Sequence, residues 1–426
     1  MGGGQHSDGV PRTIVRGYKT ELAPTVSQQQ MFLRCCGVAR YAFNWGLRRQ
    51  QEAFAATGRY IPYSLLHREL VVAKRTRLPW MYEVPKCVAQ EALRDLTQAL
   101  RRFLKGLCFR PVLKTKKRRR RAFRITNDRI KVQNGKVRLS KIGFVKLKES
   151  NYLPVRGPHF FGATVSERAG RWFISLQVKT EISIPTNTGP IVGVDLGVRT
   201  LATLSDGTFV ANPRPLDRYE RKLRRLHRVL ARRKRGSNNY SDSLRKLSKT
   251  YLRVTNIRKD TVHKATTRLA RTKSVIGVED LPIRNMLKNR VLAKHIHEAA
   301  FGEFVRQLRY KTAWYGSTLV VVSRVFPSTK MCSRCGKVKS SMGLGERSYR
   351  CGSCELMIDR DLNAAINIRN VAAGSTDTKN ARLTGEVHAI LQVPRDDAGT
   401  GQQPSLAVDG EQMYLRVNPG GEERGQ

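Results

Sequence analysis

Acid is what this chain lacks most. Its 33 Asp and Glu stand against 80 Lys and Arg, a formal charge of +47 on 426 residues. Such an excess repels itself in a compact fold unless a polyanion neutralises it. Nucleic acid fits that need best, because each phosphate neutralised by Lys or Arg releases condensed counterions. Long apolar runs are missing as well. None approaches the ~20 residues of a membrane span, so no membrane partner is expected. The opening MGGGQHSDGVPR has no apolar core of a secretory signal, which points to work in the cytoplasm. Cysteine is scarce, with eight in all; Cys35, Cys36, Cys87 and Cys108 are scattered through helix-like segments and read as buried or idle thiols. The other four are clustered, which suits an intracellular metal site and not a secreted disulfide framework. A histone-like or ribosomal basic protein is usually short and without clustered acids, so both length and acid placement argue against that class.

At this length the chain can bury at least one large core and form two or three domains. TIVRGYKTEL (13–22) reads as a strand that ends before Pro24. From Thr25 to about Leu107 apolar residues recur at i, i+3 and i+4, the helical period. KTKKRRRR (114–121) is basic at seven of eight positions and marks a loop or a phosphate contact. Short strands follow, with turns at Asn134-Gly135 and Ala169-Gly170. PTNTGP (185–190) reads as a linker, and IVGVDLGVRTLATLSDGTFV beyond it as a strand, a glycine turn and a second strand. Residues 214–273 hold 21 Lys and Arg against four acids at helical spacing, with a break near GSNNY (236–240). So few acids exclude the i,i+4 salt bridges that lace a solvated helical face. SVIGVEDL (274–281) reads as a buried strand, HIHEAAFGEFVRQLRYKTAWYG as one helix and STLVVVSRVF as another strand. Strands alternating with helices predict an α/β layer. From Val371 onward, eight acids against five bases and a Gly/Pro/polar bias predict disorder.

Cys332-x2-Cys335-x15-Cys351-x2-Cys354 has zinc-ribbon spacing. Each Cys-x-x-Cys forms a tight knuckle, and two facing knuckles give Zn²⁺ a tetrahedral set of four thiolates. Gly336 and Gly352, each directly after a cysteine, let the backbone turn close to the metal. Four thiolates leave no open position, so this zinc is expected to be structural.

Three acids stand where buried elements should carry apolar residues. Asp195 interrupts IVGVDLG, Glu279 interrupts SVIGVEDL, and Asp361 opens the helix DLNAAINI. A buried carboxylate is costly unless paired or bound to a cation. Three that converge repel one another unless divalent metal lies between them. Hard oxygen ligands favour Mg²⁺ or Mn²⁺ over zinc. Two such ions can drive phosphodiester hydrolysis, one lowering the pKa of the attacking water and one stabilising the leaving oxygen. Asp359 reads differently, as a helix N-cap accepting from backbone N–H groups. Taken singly, each acid is a cap, a turn residue or an ion-pair partner. Three in this order, in a chain this basic, read as a metal site.

IVGVDLGVRTLATLSDG, GVEDL, the paired Cys-x-x-Cys knuckles and DRDLNAAINI together resemble the TnpB family, RNA-guided nucleases encoded by insertion sequences and related to compact type V CRISPR effectors. The resemblance covers most of residues 13–370. It implies a multidomain α+β chain: a wedge β-barrel (1–24 and 110–184) with a helical recognition insert (25–109), then a RuvC-like nuclease of RNase H fold (185–328 and 357–372) interrupted by a zinc ribbon (329–356), and a disordered tail (373–426). It implies Asp195, Glu279 and Asp361 as ligands of two Mg²⁺ or Mn²⁺ ions, and Cys332, Cys335, Cys351 and Cys354 as ligands of one structural Zn²⁺. The implied partners are a guide RNA and double-stranded target DNA, held by a monomeric ribonucleoprotein in which base pairing reads the target and protein reads a flanking motif. Matching the family's motif-reading positions gives Tyr63, Lys86, Gln90, Thr126 and Asn127, types suited to groove contacts. Pro85, before Lys86, departs from the family pattern and alters the expected helix start. The implied activity is RNA-guided DNA cleavage. The alternatives are a CRISPR-borne type V effector of the same architecture and an RNA-guided repressor without cleavage.

Overall fold

Alternating burial builds the first layer. The structure, a computed structural model, describes residues 11–116, 121–126, 130–149, 151–154, 159–343 and 345–379. Asn127, residues 117–120 of the basic block and the tail beyond 379 lie outside the described residues. Strand β1 (Pro11–Ala23) leads into helices α1 (Val26–Thr57), α2 (Tyr63–Thr76) and α3 (Lys86–Leu104). Six strands follow: β2 (Ala122–Thr126), β3 (Lys131–Gln133), β4 (Lys136–Leu139), β5 (Gly143–Leu147), β6 (His159–Arg168) and β7 (Arg171–Ser183). The seven strands form one antiparallel sheet in the order β2-β6-β7-β1-β5-β4-β3.

Local chemistry explains these elements. Along β7 every second residue from Trp172 to Val178 is buried, the mark of a strand with one covered face. Asn134 and Gly135 take φ of 47° and 67°, and Ala169 and Gly170 take 54° and 77°. Two successive positive φ values are what a two-residue hairpin of matching twist requires. α1 opens with a capping box, Thr25 Oγ1 accepting from Gln28 N at 3.3 Å and Gln28 Oε1 from Thr25 N at 3.1 Å. Phe32 of α1 meets Phe123 of β2 and Trp172 of β7 with ring centroids 5.7 and 4.9 Å apart, fixing helix to sheet. α1 and α3 cross at Gly46, where a Cβ would meet Leu93 and Leu96 at 2.6 and 2.9 Å.

The second half is a mixed layer. Its elements are β8 (Val192–Asp195), β9 (Thr200–Leu204), β10 (Phe209–Ala211), α4 (Pro215–Ala231), α5 (Asn238–Thr272), β11 (Val275–Glu279), α6 (Ile283–Met286), α7 (Ala293–Ala299), α8 (Phe301–Tyr315) and β12 (Thr318–Val322). A small hairpin, β13 (Ser348–Arg350) and β14 (Met357–Asp359), precedes α9 (Arg360–Lys379). The sheet order is β10-β9-β8-β11-β12, with β8, β11 and β12 parallel and β9 and β10 antiparallel. β8 and β11 are buried up to their last residues, as parallel strands covered on both faces should be. Those last residues are Asp195 and Glu279.

Three expectations need correction. The single helix expected from His295 is two, because Ala300 adopts φ of 55° and ends α7 before α8 begins. The 185–190 linker is packed: a Cβ on Gly189 would meet Thr272 O at 2.0 Å, and one on Gly316 would meet Pro185 O at 1.7 Å. α9 runs on to Lys379, past Val371 from which the composition predicts disorder, since no proline interrupts VAAGSTDTK. The chain divides into two units, Met1–Ala373 and Gly374–Gln426. Among the described residues no helix is long and apolar enough to cross a membrane.

Candidate metal centres

Strand register brings the first two acids together. Ile276 pairs with Val192, Gly277 with Gly193 and Val278 with Val194 in parallel. Continuing that register by one residue sets Glu279 beside Asp195, on strands ~4.8 Å apart. Helix α9 supplies the third acid by lying directly on these strands. A Cβ on Gly193 would sit 2.0 Å from Ala365 O and 2.4 Å from Arg369 N, and one on Gly277 would sit 2.9 Å from Ala372 Cβ. Asp361 lies one helical turn before Ala365, and its charge acts on Asp195 at the end of β8.

The electrostatics carry the same signature. Burial first, then the charges of Asp361 and Glu279, push the Asp195 carboxyl up to about 7, with Arg360 acting in the opposite sense. Burial also raises Glu279, against a hydrogen bond from Ser328 that lowers it. Arg360 Nε lies 3.4 Å from Asp361 Oδ1, the ion pair that competes with any phosphate role for this arginine. Asp359 is the N-cap expected from sequence: its Oδ1 accepts from Asp361 N at 2.9 Å and Leu362 N at 3.0 Å. Asp359 is committed to that cap, and its charge adds a smaller push on Asp195 after those of Asp361 and Glu279. The trio is spread rather than tight, for it is not among the described groups whose ligand atoms all fall within 4.8 Å of one another.

The four clustered cysteines are such a group. Cys332 Sγ lies 3.5 Å from Cys354 Sγ, and Cys335 Sγ 3.6 Å from Cys351 Sγ. Bonds of ~2.3 Å in tetrahedral geometry set sulfurs about 3.8 Å apart, so the thiols stand where one ion would draw them. Gly336 has φ of 76°, the turn expected behind the first knuckle. Tyr349, fully buried on β13, packs with Cys332 and Cys351, and its hydroxyl donates to Lys330 O at 3.1 Å.

Family profiles match three stretches: "Helix-turn-helix domain" at residues 14–59, "Probable transposase" at 164–290 and "Cas12f1-like, TNB domain" at 301–368. A Streptomyces pristinaespiralis protein named "Putative RNA-guided DNA endonuclease" is 36% identical over 364 residues, 85% of this chain and 90% of that protein. The Escherichia coli K12 protein named "Putative RNA-guided DNA endonuclease InsQ" is 32% identical over 400 residues, 90% of this chain and 98% of that one. A mimivirus "TnpB-like protein L79" shares 34% identity over 134 residues, 30% of this chain and 25% of its own length. The chain belongs to the TnpB family. Its fold is similar to the protein in the "Cryo-EM structure of the Cas12f1-sgRNA-target DNA complex", with a TM-score of 0.51 and 13% identity over 84% of this chain and 99% of that one.

In this TnpB-family chain Tyr63, Lys86, Gln90 and Thr126, the residues expected to read a flanking motif, stand on α2, α3 and β2, and α3 packs against the other two. Lys86, Gln90 and Arg94 share a face of α3 by their spacing of four. Arg94 lies over the Tyr63 ring, 5.7 Å from its centroid, and Tyr63 stacks on His67. Thr126 ends β2, the strand whose Arg124 pairs with Asp95 of α3 at 2.9 Å. Pro85 serves as the N-cap of α3 with φ of −54° and ψ of 134°, so α3 begins at Lys86. Arg94 and His67 were missed by sequence reading; the four-residue step from Gln90 was the available signal for Arg94.

The basic stretch forms the α4–α5 hairpin, closed by a buried seam of Leu223, Leu226 and Leu247. Two of its acids do form the i,i+4 pairs excluded from sequence, Glu220 with Arg224 and Asp260 with Lys264 at 2.8 Å, and Asp242 forms an i,i+3 pair with Arg245 at 3.2 Å. The reason is that i,i+4 partners are plentiful wherever an acid occurs, yet four acids balance few of 21 bases. Asp217, His295 and Glu298 also approach within 4.8 Å. Lys294 Nζ already supplies a cation there, 2.8 Å from Asp217 and 3.5 Å from Glu220, and Glu298 accepts from Leu216 N. This cluster clamps the start of α4 to α7, so HIH packs, one of the two roles expected for it.

Proposed function

We propose that this chain is an RNA-guided DNA endonuclease that cuts target DNA beside a short flanking motif, using one hydrolytic site made by Asp195, Glu279 and Asp361. What supports the reading is the action of the Asp361 and Glu279 charges on Asp195, from the start of α9 and the end of β11, in a chain 36% identical to a protein of that name. The first sheet and its three helices act as wedge barrel and recognition lobe. The second sheet has the strand order and mixed direction of an RNase H-type layer, and serves as the RuvC-like nuclease. The cysteine lobe holds structural zinc between its two parts. Tyr63, Lys86, Gln90 and Thr126, with Arg94, face the flanking motif. Guide RNA and target duplex lie along the α4–α5 hairpin, whose positive charge answers two phosphate backbones.

The donor sets fit the implied metals. Four thiols at these separations suit Zn²⁺, and three hard carboxylates suit Mg²⁺ or Mn²⁺. The charges of Asp361 and Glu279 both act on Asp195, and a raised carboxyl is what a bound cation would bring back to the ionised form. The three carboxylates would hold the pair of ions between them. Bound divalent metal would supply an activated water and a stabilised leaving oxygen. Asp195 and Glu279 hold that site from fixed strand ends. Asp361 closes it from a helix whose start Asp359 caps.

The experiment mixes purified ribonucleoprotein, carrying the guide that copurifies, with matched duplex and Mg²⁺. Asp195→Ala should abolish cutting and leave target binding within about twofold of the parent. Undiminished cutting by this variant overturns the proposal. All three acids favour a nuclease over a silent repressor, because a repressor has no use for three carboxylates that repel one another.

A further inference from the structure

Helix α9 carries more than Asp361. Asn363 and Asn367, one turn apart, are 0% and 1% exposed. Buried asparagine in a helix interior is unfavourable unless its amide is used. Both amides are used, and both on the cysteine lobe. Asn363 Nδ2 donates to Met331 O at 2.7 Å, and its Oδ1 accepts from Ser333 N at 3.0 Å, so it brackets Cys332. Asn367 Nδ2 donates to Met331 O at 2.7 Å and to Ser328 O at 2.8 Å. Ser328 is 3% exposed, and its side chain acts against burial on the Glu279 carboxyl. The first cysteine knuckle is thus tied to α9, which bears Asp361.

We propose that Asn363 and Asn367 form a latch through which the zinc-ordered knuckle at 328–333 sets the position of Asp361. The proposal rests on reading the acid trio as the catalytic metal site. Both are positioning residues; neither reaches a reacting atom. With zinc bound, the Met331 carbonyl and the Ser333 amide are fixed partners for two buried amides. Without zinc the knuckle loses its tie, the two asparagines lose fixed partners inside the core, and the start of α9 loosens from the strands. The cysteine lobe would then govern how well Asp361 holds a cation.

Hydrogen–deuterium exchange on the full chain tests this directly. Stripping zinc with a chelator should speed exchange across 360–370. The Asn363→Ala/Asn367→Ala double variant, zinc retained, should exchange fast there already and gain nothing more on stripping. Unchanged exchange in this segment on stripping overturns the latch. Should the double variant fail to fold, Asn363→Ala alone keeps the Asn367 bonds and decides the coupling. Titrated with Mn²⁺ under paramagnetic resonance, it should bind about 10- to 100-fold more weakly with zinc content unaltered. Affinity within about twofold of the parent overturns the link to Asp361. Asp195→Ala in the same titration separates two failures. If it leaves Mn²⁺ affinity untouched, the acid trio is not the metal site, while the exchange result still judges the latch.

Discussion

Asp195 is the residue on which most depends. Its carboxyl rises to about 7 in the folded chain, from an ordinary value of 3.8. The folded state therefore holds a proton that the unfolded state has released, and stability falls as pH rises through that window. Metal-free protein should melt at progressively lower temperature from about pH 4 to about pH 7, and Asp195→Asn should flatten that decline. Calorimetry across the range checks it; a metal-free melting temperature that climbs over this window would contradict the assignment. Asp195, Glu279 and Asp361 were legible because charge in an apolar strand or at a helix start is conspicuous. Asp359 was legible as a cap for the same local reason. Gly193 and Gly277 were not, since their meaning depends on a helix more than 80 residues away along the chain. Ser328, Asn363 and Asn367 were equally silent, because hydrogen bonds across 30 or more residues leave no periodic trace.

Among elements, α9 against β8 and β11 is the decisive contact. A methyl at Gly193 would strike the backbone of α9 at Ala365 and Arg369, which no side-chain rotation can relieve. Gly193→Ala should cost ~1–3 kcal/mol or more and displace Asp361, so cutting falls with the melting temperature. Gly37→Ala offers the contrast: nothing lies within 4 Å of its added carbon, and a helical alanine gains ~0.5–1 kcal/mol over glycine. Equal melting temperatures for the two variants would refute the close-approach account. The hairpin turns, the strand–helix alternation and the two knuckles could all be read from local spacing. The break at Ala300 could not, because an alanine in the left-handed region is held there by the packing of α7 and α8 and not by its own preference. The same holds for the packed 185–190 segment, whose composition is that of a linker and whose contacts are not.

At the scale of the whole molecule, charge is the dominant physical fact. A net +47 concentrated before residue 371 predicts RNA binding governed by counterion release. Guide affinity should fall by ~10³-fold or more between about 50 and about 200 mM salt. Arg232→Glu/Arg233→Glu/Arg235→Glu, at the exposed tip of the α4–α5 hairpin, should reduce the salt slope by about 2. A slope unmoved by that triple change would place the RNA elsewhere. The two sheets, the basic hairpin and the cysteine lobe acquire a common purpose only if the acid trio holds metal.

Anomalous diffraction from the ribonucleoprotein soaked in Mn²⁺ asks that question most directly. Two peaks ~3.5–4 Å apart, both in contact with Asp195 and flanked by Glu279 and Asp361, are the predicted result. Manganese bound elsewhere, with these carboxylates bare in the presence of target DNA, would contradict it.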